Sequence, residues 1–376
     1  MFWLLFSPLW ASHVLEVSDQ LPLGQKGTFA RPFLDEGSWY LGFGAGQGFW
    51  ISPLLEDPWA LPPRDDAWRL TPESQPMRDF ALRRCDDGEW LLLGSADTDE
   101  ADDSAYAFTF SSDWTPTGQS TVAEGVGERS HNDMTTVCAG PLRGSFFPSD
   151  EGLPRNWFVH LDAQGAPTSE TEVAEEPRMT GAGAAWDEER QQLVALGFAR
   201  EEALQVVVYD ADLAPVDGHE IVISDAPERA YWPQGVLLIE DTWVVAYMLR
   251  DEATWAEGDE GDLSLAFFDR DWQLKERVRL TNNPLDGGGQ RPWMALDGDE
   301  LLVAYDRQQE LTLIPVTLDL SQFSQVQDTG PGETDTGDTG LGPGEPCGCH
   351  TSTNLASSAG LWLLGLGLLL LRRRQD

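Results

Sequence analysis

The sequence predicts an all-β fold, and three observations predict it. Short apolar runs rich in β-branched and aromatic residues recur, as in Trp90-Leu-Leu-Leu93, Gln205-Val-Val-Val-Tyr209, Trp243-Val-Val-Ala-Tyr247 and Leu301-Leu-Val-Ala-Tyr305. Asp/Gly turns separate them, and helical periodicity is scarce. The same set of short elements returns about every fifty residues across residues 14–326. Four strands per unit, joined by tight turns, is the pattern of a β-propeller, in which each blade is a small sheet covered by its neighbours.

The first recurring element is an apolar strand that ends in an acidic turn. It is seen at Phe108–Trp114, Phe158–Gln164, Val207–Asp212 and Phe267–Asp271. With Asp113, Gln164, Asp212 and Asp271 as equivalents, the steps are 51, 48 and 59 residues, and a weaker first copy ends at Asp57-Pro58-Trp59. A second element closes the unit. Arg69-Leu70-Thr71 and Arg279-Leu280-Thr281 are its clearest copies, with Thr121-Val122, Glu172-Val173 and Ile221-Val222 at the matching places. A third opens it: Arg31-Pro32, Arg78-Asp79, His131-Asn132, Arg178-Met179, Tyr231-Trp232 and Arg291-Pro292. Six openers imply six blades; a degenerate third unit leaves five or seven open. The last unit is short of an outer strand, which Leu15–Leu21 would supply from the N-terminus to close the ring. The sixteen tryptophans fit the aromatic packing between blades. A pair of β-sandwiches would explain the strands but not the period.

The two ends of the chain are built differently. Residues 327–346 are rich in Asp, Thr, Gly and Pro, with nothing to bury, and read as an extended or disordered stalk. Its Asp-Thr-Gly triplets lack the apolar flanking strands of an aspartic protease. Beyond it come Cys347-Gly348-Cys349-His350, an uncharged apolar run over 355–371, and Arg372, Arg373 and Arg374. At about 1.5 Å per residue the run spans about 25 Å, enough for a thin bilayer, and the arginines favour the cytoplasmic side. The order of parts resembles the MYXO-CTERM sorting domain of myxobacterial surface proteins. That resemblance, over residues 347–376, implies a tail held first in the inner membrane, cut by a sorting protease near Cys347 and Cys349, and a mature protein displayed on the cell surface or outer membrane. Met1–Trp10 is apolar and followed by Ala11 and Ser12, so residues 1–13 read as an export signal, although Pro8 interrupts them and no basic residue precedes them.

Composition agrees with export. Lys and Arg number 24 against 64 Asp and Glu, a net charge of −40, which argues against nucleic-acid partners. The acidic loops Asp97–Asp103 and Asp259–Asp262 would suit Ca2+, but they lack the spacing of a calcium loop; no other cofactor is implied. Cys85 and Cys138, seven residues after Arg78 and His131, are candidates for a disulfide between adjacent units if their strands lie close enough.

The opener residues are the candidate ligand-binding set. Arg31, Arg78, His131, Arg178, Tyr231 and Arg291 would face one end of the central channel. There, guanidiniums would grip carboxylate or sulfate groups in a bidentate manner. The competing expectation is that each arginine pairs with an acid of the next blade. Asp79, Asp133 and Asp187 are the candidate acids, and they are also the catalytic candidates if the ring is a sialidase-like or other glycosidase acting on polysaccharide. No nucleophile motif accompanies them. The sequence therefore points to a surface-displayed propeller that binds an extracellular protein or glycan, with a propeller glycoside hydrolase as the alternative.

Overall fold

The computed structural model describes residues 12–323, apart from 57–58, 64–65, 97–103, 124–133, 150–154, 174–177, 199–203, 222–227, 252–260 and 283–289. All of these described residues belong to one compact unit. The expected export signal up to Ala11, the stalk and the sorting tail with Cys347, Cys349 and Arg372–Arg374 lie outside the described residues, as do His131, Asp133 and the loop Asp97–Asp103.

The chain is a six-bladed β-propeller. It begins with β1 (Val14–Val17) and β2 (Leu21–Lys26). Blade 1 is β3 (Thr28–Asp35), β4 (Ser38–Gly44), β5 (Phe49–Pro53) and β6 (Trp68–Arg69). Blade 2 is β7 (Met77–Arg84), β8 (Trp90–Ala96), β9 (Ala105–Phe110) and β10 (Pro116–Ala123). Blade 3 is β11 (Thr135–Ala139), β12 (Leu142–Ser149), β13 (Arg155–Leu161) and β14 (Pro167–Val173). Blade 4 is β15 (Arg178–Asp187), β16 (Gln192–Phe198), β17 (Leu204–Tyr209) and β18 (Pro215–Ile221). Blade 5 is β19 (Glu228–Ile239), β20 (Thr242–Asp251), β21 (Asp262–Asp269) and β22 (Leu274–Arg279). Blade 6 is β23 (Gln290–Asp297), β24 (Glu300–Arg307) and β25 (Glu310–Leu318), completed by β1 and β2, which both pair with β25. The N-terminal segment thus supplies the missing outer strand, in two pieces rather than one continuous run.

Each blade is an antiparallel meander, and each inner strand lies against the inner strands of the adjacent blades. One buried apolar cluster sits at each of the six blade interfaces. This explains why the second strands read as unbroken apolar runs rather than as an alternation. In β20, Trp243, Val245 and Tyr247 pack toward blade 4, while Val244, Ala246 and Met248 pack toward blade 6. In β8, Leu91 and Leu93 face blade 3, while Trp90 and Leu92 face blade 1. A strand buried on both faces has no polar face to show.

The recurring motifs have local physical roles. In the acidic turns, Asp162, Asp210 and Asp269 each accept hydrogen bonds from the backbone N–H groups two and four residues on. The fourth turn residue is left-handed: Gly165, Leu213 and Trp272 have φ of 77°, 63° and 61°. The carboxylate satisfies the loop donors that this geometry exposes, so Asp recurs there. Ser111 and Asp113 share the same task in blade 2, where Trp114 has φ 66°. The Arg-Leu-Thr elements are equivalent too. Thr71 Oγ1 accepts from Phe49 N at 3.1 Å, and Thr281 Oγ1 accepts from Leu263 N at 2.9 Å, each capping the start of its blade's third strand.

Three features lock the ring. First, Ser12 and His13 fasten the start of the ring to blade 5, where Glu276 accepts from Ser12 Oγ at 2.6 Å and from His13 N at 2.7 Å. Burial alone would raise the Glu276 carboxyl, but these bonds and the His13 ring outweigh it and hold the group below its usual range. The His13 ring stacks on Phe267 at 4.8 Å. Second, Cys85 and Cys138 form a disulfide, with Cα atoms 4.7 Å apart, at the ends of the inner strands of blades 2 and 3. The condition left open by the sequence is met, because the two strands lie close enough at that end of the ring for the bridge. Third, ion pairs cross between blades at the same end: Arg84 with Asp35, Arg143 with Asp87 and Glu89, and Arg270 with Asp187 and Glu189.

The disulfide closes a sequence separation of 53 residues, for which chain-entropy arguments give about 4 kcal/mol of stabilisation. Cys138→Ser is expected to lower unfolding free energy by about that amount. Denaturant titration with and without reductant checks this, and reductant should then leave the variant unaffected.

Candidate binding site

Because the inner strands run the same way round the ring, their starts define one end of the channel, called here the head end. The turns between first and second strands and between third and fourth strands lie at the far end. The site depends on how the inner strands begin. Five of them, β3, β7, β15, β19 and β23, break register near their starts, between Thr28 and Arg31, Met77 and Phe80, Arg178 and Gly183, Tyr231 and Gly235, and Gln290 and Trp293. Phe29 and Arg291, the first residues inside two of these breaks, are left-handed with φ of 55° and 53°. Such bulges bend a strand and re-aim its side chains.

The register separates the opener residues that the sequence aligned. Arg31 is the first residue after its break and is equivalent to Phe80, Gly183, Gly235 and Trp293. Arg178 and Tyr231 come before theirs, while Arg78 and Arg291 fall inside. The openers therefore occupy three levels of the strand rather than one ring of equivalent positions. The break lengths differ between blades, and that difference was invisible in a motif alignment. The side chains of Arg78, Arg178 and Tyr231 lie outside the described set. Arg291 follows the competing expectation of an acid partner, but within its own blade: Nη1 donates to Asp306 Oδ2 at 3.1 Å, and the guanidinium lies 4.8 Å from the Phe29 ring centroid.

Arg31 behaves differently. It is 4% exposed, and its Nε and Nη2 donate to the Phe80 carbonyl of the next blade at 3.3 and 2.9 Å. Its guanidinium lies 3.9 Å from the Trp293 ring centroid. A second guanidinium meets the same indole: Arg83, at 4.2 Å. Arg83 reaches across the channel, donating from Nε to Thr136 O of blade 3 at 3.1 Å and from Nη2 to Ala184 O of blade 4 at 2.9 Å. Blades 1, 2, 3, 4 and 6 thus meet at one cluster. Sequence reading missed both Arg83 and Trp293. Arg83 lies five residues beyond its opener, next to Arg84, and nothing in the pattern distinguishes an arginine spanning the channel from one in a far-end ion pair.

The electrostatics of the cluster are unusual. Neither guanidinium touches a carboxylate among the described residues, and Arg31 Nη1 is buried with no hydrogen-bond partner among them. Burial, reinforced by the neighbouring Arg83 charge, pushes Arg31 well below its ordinary value, and burial lowers Arg83 to about 10. Both remain charged at neutral pH. Ring contacts of about 1–2 kcal/mol each and carbonyl dipoles hold these cations, but they do not neutralise them. Arg31 Nη1 is the donor this leaves open within the cluster.

The described candidate acids do not assemble a catalytic pair. Asp79 is buried at the head end and accepts from Ser95 Oγ at 3.2 Å. Asp187 is the last residue of β15, about five residues or roughly 16 Å further along the strand direction. It is committed to Arg270 Nη1 at 2.6 Å and to the N–H groups of Glu189 and Arg190. Asp262, from the second acidic loop, is engaged by Thr281 and Arg279. Among the described residues no group of three or more His, Cys, Asp or Glu is placed to hold a metal ion, and no helix is long and apolar enough to cross a membrane.

Asp187 is the buried partner of Arg270, with side chains 3% and 14% exposed, while Glu189 and Asp241 meet the same guanidinium from the exposed side. Asp187→Asn removes a charged hydrogen bond but leaves Arg270 those two carboxylates, and is expected to cost about 1.5–3 kcal/mol of stability, measured by denaturant unfolding.

No protein-family model matches the chain. No curated protein matches it either. Among solved structures it is similar to a protein of unknown function from Dyadobacter fermentans DSM 18053, with TM-score 0.56 and 11% identity, covering 81% of this chain and 99% of that one. It is also similar to a subtype N10 neuraminidase-like protein of A/little yellow-shouldered bat/Guatemala/060/2010, with TM-score 0.49 and 12% identity over 81% of this chain and 98% of that one. A looser likeness joins it to a GH43 endo-arabinanase from Bacillus licheniformis, with TM-score 0.40 and 11% identity over 67% of this chain and 98% of that one. At these identities the likeness to the Dyadobacter protein is one of fold, and the other two are looser still.

Proposed function

We propose that this chain is a surface-displayed ligand-binding propeller that captures an anionic group, carboxylate or sulfate, in its central channel. The observation that carries the reading is the cluster of Arg31, Arg83 and Trp293: two guanidiniums on one indole, joined to carbonyls of three blades, with no carboxylate partner among the described residues. Its ligand is an extracellular protein or glycan bearing such a group. A glycosidase needs two carboxylates about 5–10 Å apart, and Asp79 and Asp187 are separated along the strand and differently occupied. Binding is therefore preferred to hydrolysis.

The cluster is tested with sulfate at matched ionic strength. At a hundredfold excess over Kd, sulfate should stabilise the protein by about 2.7 kcal/mol. Arg83→Met should abolish that protection while leaving the ring folded. Equal protection of variant and wild type would overturn the site.

Display is the second part of the proposal. Residues 347–376 act as a sorting signal, held in the inner membrane until a membrane protease cuts near Cys347, and residues 327–346 then hold the propeller off the surface. Cys347→Ala is expected to leave uncut precursor in the inner membrane, seen as a larger species that surface labelling does not reach. Unchanged display would refute the sorting role.

A further inference from the structure

The inner strands of blades 2 and 3 are joined at two neighbouring points. Arg83 Nε of β7 donates to Thr136 O of β11 at 3.1 Å, and the disulfide joins Cys85 to Cys138. Cys85 lies two residues beyond Arg83, and Cys138 two beyond Thr136, so a polar and a covalent tie bind the same pair of strands side by side. Side chains two apart in a strand share a face. Ala81 and Cys85, on either side of Arg83, both pack between blades 2 and 3, so the arginine stem leaves its strand on the face that the bridge holds.

The bridge stands between the channel cluster and the turns. Further polar contacts between these blades lie past it: Gly140 N donates to Asp86 Oδ2 at 2.6 Å, and Arg143 meets Asp87 and Glu89. β11 is the shortest inner strand, at five residues, and Thr136 is its second residue. The Arg83 acceptor thus sits near one end of a short strand whose other end is bonded to β7. Arg83 Nη2 is held separately, by Ala184 O of blade 4 at 2.9 Å. Opening the bridge loosens one of these two anchors and keeps the other.

We propose that the Cys85–Cys138 bond is a positioning element of the channel site, and that anion affinity depends on its redox state. This rests on the reading of Arg31, Arg83 and Trp293 as an anion site. The bond holds β7 against β11 and so fixes the Arg83 guanidinium relative to Arg31 and the Trp293 ring. Reduction by a dithiol passes two electrons and two protons to the two sulfur atoms, and the dithiol leaves as a cyclic disulfide. Binding must then order a cation that the bridge had fixed in advance, and affinity falls. Linkage makes the coupling reciprocal. If the bridge raises affinity tenfold, saturating sulfate makes it harder to reduce by the same factor, a shift of about 30 mV to more negative potential.

The test is sulfate titration of the full-length protein at matched ionic strength, oxidised, reduced with dithiothreitol, and as the Cys85→Ala/Cys138→Ala variant. The bridge is also equilibrated in dithiothreitol redox buffers with and without sulfate, and its state is read by alkylation and mass spectrometry of the Cys85 and Cys138 peptides. The reduced and variant proteins should keep their circular dichroism and bind sulfate about tenfold more weakly. Sulfate should move the midpoint potential by about 30 mV, and Arg83→Met should abolish that shift. Glu276→Ala, which opens the N-terminal latch on blade 5, should leave sulfate affinity unchanged. Equal affinity with the bridge open and closed, an equal loss in Glu276→Ala, a midpoint that ignores sulfate, or unfolding when the bridge opens would each overturn the positioning role and leave the anion site standing. No sulfate binding by the oxidised protein would remove the site itself, and this inference with it.

Discussion

Everything in this molecule depends on the fact that a four-stranded blade has two apolar faces and no layer of its own to cover either. Each face must be covered by a neighbouring blade, and the last blade must cover the first. Six clusters at six interfaces meet that requirement. The cost of failure is concentrated at the closing seam, where β25 would otherwise present an open edge. β1 and β2 pair along that edge, and His13 and Ser12 then carry the same chain end onto Glu276 of blade 5. Closure is therefore both a matter of hydrogen-bond ladders and a polar latch to the adjacent blade.

The ring separates its charges along its axis. At the far end, arginines meet carboxylates across blade boundaries, and the Cys85–Cys138 bond joins two blades among them. Toward the head end, Arg31 and Arg83 meet carbonyl oxygens and an indole instead. Carbonyls orient a guanidinium without cancelling its charge. The same residue type thus serves two ends: where an acid is in reach it clasps, and where only backbone is in reach it leaves a positive potential inside an acidic protein. Channel walls of low dielectric strengthen that potential for an approaching anion.

Most of the architecture was legible in the sequence because its signals are local. Asp162, Asp210 and Asp269 recur because one carboxylate can satisfy the donors of one turn, so the turn advertises itself at a fixed spacing. Thr71 and Thr281 recur because each caps a third strand. Blade number and N-terminal closure follow from those repeats. The site was less legible because its determinants are not local. A bulge changes which residue faces the channel without changing the composition around it, so Arg31, Arg178 and Arg291 align as motifs but differ in level. Arg83 touches Ala184, 101 positions away, and no spacing rule links the two.

The bulges deserve a physical reason, and the head-end chemistry supplies one. An unbroken inner strand alternates its side chains between the two interfaces, which suits covering but leaves little to project into the channel. Breaking register near the start lets a strand turn a residue out of that alternation. At β3 and β23 the residues so placed are Arg31 and Trp293, in adjacent blades and in contact. The left-handed Phe29 and Arg291 inside those breaks are the conformational cost, and the Arg291 guanidinium lies over the Phe29 ring, so the two strained positions support each other. The uniform covering that makes the ring stable is thus suspended at one level of the channel, and that is where its unneutralised charge is found.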